Sequence, residues 1–390
     1  MIAYLRRQFN ESFTQARYSR LLELVEAGTG IPLQFPHNET PVFLPRRLVE
    51  RLCRYGRELA EQLVHDPAYM RESERAIPGR WRVPNETAQP LFVQADFGLV
   101  RDAAGEWDGR LVEIQGFPSI YAYQLFLSQC YREAYALDPS LDSLPDGLTR
   151  EESIELLQRA VVGAGDPETV FLLDVDPGGQ KTRGDFIRTG KLLGVRAFDI
   201  AQVRREGNSL YAGNRLIRRI YNRAIVDEME RSGIRLGFDY RDCLDVEWAG
   251  HPNWYFRLSK FSIPYFRHPA VPETRFLDQA GDFGDPAEWV LKPLFSFAGA
   301  GVVVGPTREQ IDAVPEERRH DYVLQRRIRF EPALDTPHGM TQIEIRVMYI
   351  WLERLRPVNL VIRTGRGLMM GVDHNKGLAW VGASAAFIEP

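Results

Sequence analysis

The chain has few cysteines, no long apolar run and no strong excess of one charge. Each lack narrows what it can be. Its 390 residues include three cysteines, Cys53, Cys130 and Cys243, far apart and without metal-ligand spacing. A reducing compartment is the simplest expectation. No stretch reaches the apolar length of a membrane span, and the N-terminus lacks the apolar core of a secretory signal. The expectation is a soluble, cytoplasmic protein with no membrane partner. Formal net charge is −4 and the isoelectric point about 6.1, so no global field favours nucleic acid. Short basic runs at Arg218-Arg219 and Arg326-Arg327 fit a solvated strand edge or phosphate contacts as well as a nucleic-acid groove. There is no internal repeat and no low-complexity tract. What is present is a hydrophobic share of 44%, enough for substantial cores, and a length that suits roughly two to three domains.

Periodicity divides the chain. Residues 1–90 form a helical N-terminal region, with apolar residues at helical spacing over Ser12 to Glu26 and Pro45 to Val64. Residues 91–148 carry a hairpin and an aromatic-rich helix from Tyr121 to Leu137. Residues 149–250 alternate helix and strand: Glu151 to Val162, Thr169 to Asp174, Gly184 to Leu193, Val195 to Asp199 and Leu216 to Tyr221. That alternation predicts a small α/β domain with a parallel sheet. Residues 251–390 favour strands: Glu288 to Lys292, Gly301 to Val304, Tyr322 to Arg327, Gln342 to Trp351, Asn359 to Thr364 and Ala379 to Val381. A helix from Thr307 to Val314 lies between two of them. The fold class is therefore α/β, becoming α+β in the C-terminal part.

The hairpin carries the first chemistry. One strand reads Phe92-Val93-Gln94-Ala95-Asp96-Phe97 and the other Arg110-Leu111-Val112-Glu113-Ile114-Gln115, with a loop rich in Asp and Gly between them. Alternation puts Gln94 and Asp96 on one face, and Glu113 and Gln115 on one face of the partner. Folding back at mid-loop sets Asp96 opposite Glu113 and Gln94 opposite Gln115. Two opposed carboxylates are unfavourable unless a cation or a shared proton relieves them, and a hard ion such as Mg²⁺ suits an all-oxygen set. A solvated outer face is the alternative.

The second piece is Trp289-Val-Leu-Lys292-Pro-Leu-Phe-Ser296-Phe-Ala-Gly299-Ala-Gly301-Val302. A strand delivers a lysine, and a loop of small residues follows. Such a loop lets backbone N–H groups approach an anion, and the lysine adds a point charge. A plain hairpin with a Gly-rich turn would look similar. Lys260 stands upstream. Tyr322 to Ile328 is an apolar strand with Gln325 within it, suited to line an adenine pocket. Glu344 and Arg346 share one face of a later strand, and Arg363 stands near the end of the next. Isolated arginines inside apolar strands need a partner, and Glu344 is one candidate. Asp373-His374-Asn375-Lys376 is a polar loop, chemical or simply a turn.

Together these segments resemble the ATP-grasp superfamily in its circularly permuted form, shared by glutathionylspermidine synthetases and eukaryotic glutathione synthetases. Asp96-Phe97 with Glu113-Ile114-Gln115 is similar to the early D-F…E-x-N metal segment. Lys292-Pro293-Leu294-Phe295 and its loop are similar to the late lysine segment, and Glu344-Ile345-Arg346-Val347 resembles a D-I-R-V strand. The resemblance covers the early segment and the last third of the chain. The middle domain fits by position, and residues 1–75 match nothing.

The resemblance implies ATP and Mg²⁺ as cofactors, and a ligase that joins a small-molecule carboxylate to an amine or thiol through an acyl-phosphate. The substrate would be an amino acid or peptide-like. It implies Asp96, Glu113 and Gln115 as metal ligands. Lys260, Lys292, Ser296, Gly299, Gly301 and Gln325 would be nucleotide-binding residues, and Arg346 and Arg363 catalytic residues. The chain departs from the pattern at Gln115, where Asn is usual, and at Phe297 and Ala298, where Arg and Glu are usual. It departs again at Gln94, where Arg is usual. A nucleotide-binding protein without turnover and a small-molecule kinase are the other readings.

Overall fold

A six-strand path runs through the centre of the computed structural model, which describes every residue except Phe297, Ala298, Val372, Asp373 and Lys376. The path orders Val42–Leu44, Gly382–Ile388, Leu355–Gly365, Gly339–Trp351, Phe92–Arg101 and Trp107–Gln115, and Leu334–Thr336 pairs beside Gly339–Trp351. It thus joins the early hairpin to the C-terminal strands. Its two faces differ as alternation requires. Val93, Ala95, Phe97, Ile343, Ile345, Val347 and Tyr349 pack into one core with the Arg46–Val64 helix. That helix buries Leu48, Leu52, Leu59 and Leu63, at spacings of four and seven. The Tyr349 hydroxyl reaches the helix backbone, donating to the Cys53 carbonyl at 2.9 Å. Opposite this core, Gln94, Asp96, Glu344 and Arg346 occupy the other face.

The middle of the chain forms a parallel sheet ordered Glu247–Ala249, Arg219–Asn222, Val170–Asp174 and Arg196–Asp199. The Arg183–Leu193 helix connects two of these strands. The expected strand from Leu216 to Tyr221 is two strands. Arg215–Ile217 joins a small antiparallel sheet with Val203–Glu206 and Ser209–Ala212, and Arg219–Asn222 enters the parallel sheet. A third antiparallel sheet orders Thr274–Phe276, Tyr322–Arg326, Trp289–Pro293 and Val303–Val304. The last strand is Gly382–Ile388, beyond the expected Ala379 to Val381. Its Gly-Ala-Ser-Ala-Ala start has weak strand propensity. Pairing with Leu355–Gly365 on one side and Val42–Leu44 on the other holds it extended.

The turn after the hairpin is fixed from two sides. The Gly116 N–H donates to the Leu258 carbonyl at 2.7 Å, and a Cβ at Gly116 would lie 2.7 Å from the Trp254 carbonyl oxygen. The Tyr121–Tyr135 helix follows, with Ile120 at φ +55°. Asp185 accepts from the Ile120 and Tyr123 N–H groups at 3.2 and 3.0 Å, and the Arg223 guanidinium holds Asp185 at 2.5 Å. A buried ion pair, Asp185 of the Arg183–Leu193 helix with Arg223 just after the Arg219–Asn222 strand, thus caps this helix.

Candidate functional site

The hairpin register pairs Asp96 with Glu113 and Gln94 with Gln115. Immediately after Asp96 the register slips, so Phe97 pairs with Leu111 and Val112 is left over. A bulge removes a residue from the ladder. Here the Val112 carbonyl is taken instead by the Lys292 ammonium, at 2.9 Å. Lys292 also donates to the Gln325 side-chain oxygen, and the Gln325 amide donates to the Leu111 carbonyl at 3.2 Å. The third sheet is therefore latched onto the hairpin edge through Lys292 and Gln325.

On the polar face, pairing aligns Arg346 with Asp96 and Glu344 with Arg363. Arg346 donates to both Asp96 oxygens, from Nε at 2.6 Å and Nη2 at 2.7 Å, and from Nη1 to the Gln94 oxygen at 2.9 Å. Arg363 pairs with both Asp96 and Glu344. Glu113 lies 3.6 Å from Arg346. Gln94 binds the Gln115 amide at 2.7 Å and donates to the Ser119 carbonyl at 2.8 Å. Lys260 donates to the Ser296 carbonyl at 2.7 Å. Four segments remote in sequence thus meet in one charged cluster.

Burial sets its electrostatics. It pushes the Asp96 carboxyl up, but Arg346 and Arg363 outweigh it and hold the group below the ordinary value. Burial lowers Arg363, yet Glu344 and Asp96 raise it overall. Burial raises the Glu344 carboxyl, despite Arg363. Burial brings Lys292 down to about 8, opposed by Glu113 and reinforced by Lys260. Lys260 is also lowered by burial, with Glu113 and Asp227 acting to keep its charge. Asp227 lies on the Val226–Arg231 helix, between two strands of the parallel sheet in chain order.

The residues singled out from the sequence fall into three groups. Asp96, Glu113, Gln115, Arg346 and Arg363 share the central sheet's polar face, and Lys292, Gln325 and Lys260 border it. In the loop, Gly299 and Gly301 take φ of +76° and +71°, a conformation that favours glycine, and the Ser296 hydroxyl is buried with no partner among the described residues. Phe297 and Ala298 lie outside the described residues, as do Asp373 and Lys376. Asn375 serves its own turn, accepting from the Arg366 N–H at 3.1 Å and donating to the Met369 and Gly371 carbonyls at 3.0 and 3.2 Å. The sequence sets Gln94 on the Asp96 face opposite Gln115 and marks it as a departure from the family pattern, without a role; in the fold it links Arg346 to Gln115. Its place beside Asp96 on one strand face was the available signal.

The donor set bears on ATP and Mg²⁺ differently. Two lysines and a Gly-bearing loop suit phosphate oxygens. Asp96 does not suit a metal. Both its oxygens are engaged by guanidinium groups, and Glu344 is held by Arg363. Glu113 is the remaining acid. Among the described residues no group of three acids, histidines or cysteines is placed to hold a metal ion. Nor, among them, is any helix long and apolar enough to cross a membrane.

No family model matches the sequence, and no curated protein matches it. Among solved structures, the chain is similar to the apo form of a glutathione synthetase-like effector from Globodera pallida. The TM-score is 0.63 at 11% identity, over 95% of this chain and 96% of that one. The fold is glutathione synthetase-like. Helices and several sheets in this glutathione synthetase-like arrangement agree with the mixed α/β class expected from the sequence.

Proposed function

We propose that the charged cluster is a nucleotide-phosphate site of circularly permuted ATP-grasp type, and that the chain is an ATP-dependent ligase. It joins a carboxylate of an amino acid or peptide-like substrate to an amine or thiol. The observation that carries this reading is the meeting of Lys292 with the hairpin at Val112, beside Glu113 and Asp96. Lys260 and Lys292 hold phosphates. Arg363, about a quarter exposed, can reach a bound anion, whereas Arg346 is almost fully buried against Asp96. Attack of the substrate carboxylate on the γ-phosphate gives an acyl-phosphate and ADP, and the nucleophile then displaces phosphate. Positioning and charge neutralisation carry most of such a reaction.

A second reading, nucleotide binding without turnover, is favoured by the engagement of Asp96 with arginines. ADP release, measured with pools of candidate carboxylates and with amines or thiols, separates the two. Release that requires both partners supports the ligase. Release without a nucleophile points to a kinase, and absence of release with nucleotide still bound supports the second reading.

A further inference from the structure

We infer that this site holds its nucleotide without a divalent cation, and that Asp96 is a positioning residue for two arginines. The inference rests on the reading of the cluster as a nucleotide-phosphate site, and it corrects the metal role that the sequence pattern implies for Asp96.

Opposed acids such as Asp96 and Glu113 call for a cation. Side chains of the chain itself supply it, as ion pairs. Arg346 comes from the adjacent strand, in register with Asp96, and Arg363 from the strand beyond. Arg346 takes Oδ1 and Oδ2 at 2.6 and 2.7 Å, and Arg363 takes Oδ2 as well. A carboxylate oxygen has two lone pairs, so Oδ2 is saturated and Oδ1 is half used. Glu344 is committed to Arg363. Glu113 is left with Arg346 at 3.6 Å.

Charge gives the same answer. Lys260, Lys292, Arg346 and Arg363 face Asp96, Glu113 and Glu344. Counting Asp227, which acts on Lys260, cations still equal carboxylates. A Mg²⁺ ion on a nucleotide takes phosphate oxygens together with one or two protein carboxylates. Among the described residues Asp96 and Glu344 are held by arginine forks, and a second free carboxylate beside Glu113 is not present. A phosphate chain needs cations and N–H donors, and those are. Asp96 fixes both arginines, and of the two Arg363, about a quarter exposed, is the one able to meet phosphate charge, while Arg346 stays buried against Asp96. A guanidinium serves that role through its fixed fork of donors.

The test is calorimetric titration of the full chain with ADP and with a non-hydrolysable ATP analogue, in EDTA and in Mg²⁺. Affinities should agree within about threefold between the two conditions. Glu113→Gln, at a part-exposed position, should tighten binding about threefold by removing a carboxylate from an anion site. Binding more than about threefold tighter in Mg²⁺ would overturn the inference and leave the nucleotide reading standing. Binding in neither condition would overturn both.

Discussion

Arg346 grips Asp96 through Nε and Nη2, at 2.6 and 2.7 Å, across two adjacent antiparallel strands. Both side chains are at least nine-tenths buried. Removing Arg346 leaves the buried Asp96 without its bidentate partner and with Arg363 alone to offset its charge. Arg346→Ala should therefore cost about 1.5–3 kcal/mol of stability, read from urea unfolding. The double variant Asp96→Asn/Arg346→Met should cost clearly less than the two single changes added together, because no lone charge remains. Additive costs would show that the pair is not coupled.

Lys292 latches the third sheet to the hairpin and presents its ammonium to the cluster. Lys292→Met should weaken nucleotide binding by more than about tenfold, the loss of a charged hydrogen-bond donor to phosphate. Lys292→Arg should not restore it, since a planar fork does not fit between the Val112 carbonyl and Gln325 as a point charge does. Circular dichroism of the same samples checks that the fold persists, and unchanged affinity in a folded Lys292→Met would remove Lys292 from the site.

Asp174, at the end of a parallel strand, makes stability depend on pH. Burial raises its carboxyl to about 7, against the pull of Arg223. The folded state therefore binds more protons than the unfolded one between about pH 4 and 7. The stability this group contributes is present below that window and falls as pH rises through it, by at most about 1.4 kcal/mol per pH unit. His37 acts oppositely, because burial lowers it to about 4 and acidification below its ordinary value costs stability. Comparing wild type with Asp174→Asn isolates the first effect. The variant's advantage should grow steadily from about pH 4 to 7 and then level off. A difference independent of pH would contradict the assignment.

Gly116 lets the post-hairpin turn lie against the Trp254 backbone. Gly116→Ala places a Cβ 2.7 Å from a carbonyl oxygen that cannot swing aside. A loss of about 1–3 kcal/mol is expected, seen as a lower melting temperature. An unchanged melting temperature would mean that the Trp254 segment yields.

The hairpin was legible because two acids and two amides repeat with period two on both strands. That pattern fixes which residues share a face, and the register follows from it. The bulge at Val112 was not legible. It depends on Lys292 taking the freed carbonyl, and that contact spans 180 residues. The arginines were legible as groups needing partners, and Glu344 was correctly considered for Arg363. That Asp96 would bind both requires three strands to be ordered side by side, which alternation within one strand cannot specify. The Gly382–Ile388 strand was misplaced because its small residues carry little intrinsic preference. Neighbours on both sides impose its conformation.

The most direct test is an experimental structure of the full chain with a non-hydrolysable ATP analogue. The phosphates are predicted within about 3.5 Å of both the Lys260 and Lys292 ammonium groups, on the face that carries Asp96 and Glu113. A nucleotide seated elsewhere, such as the cavity of about 830 Å³ lined by Trp248, His251 and Trp351, with both lysines untouched, would contradict the account.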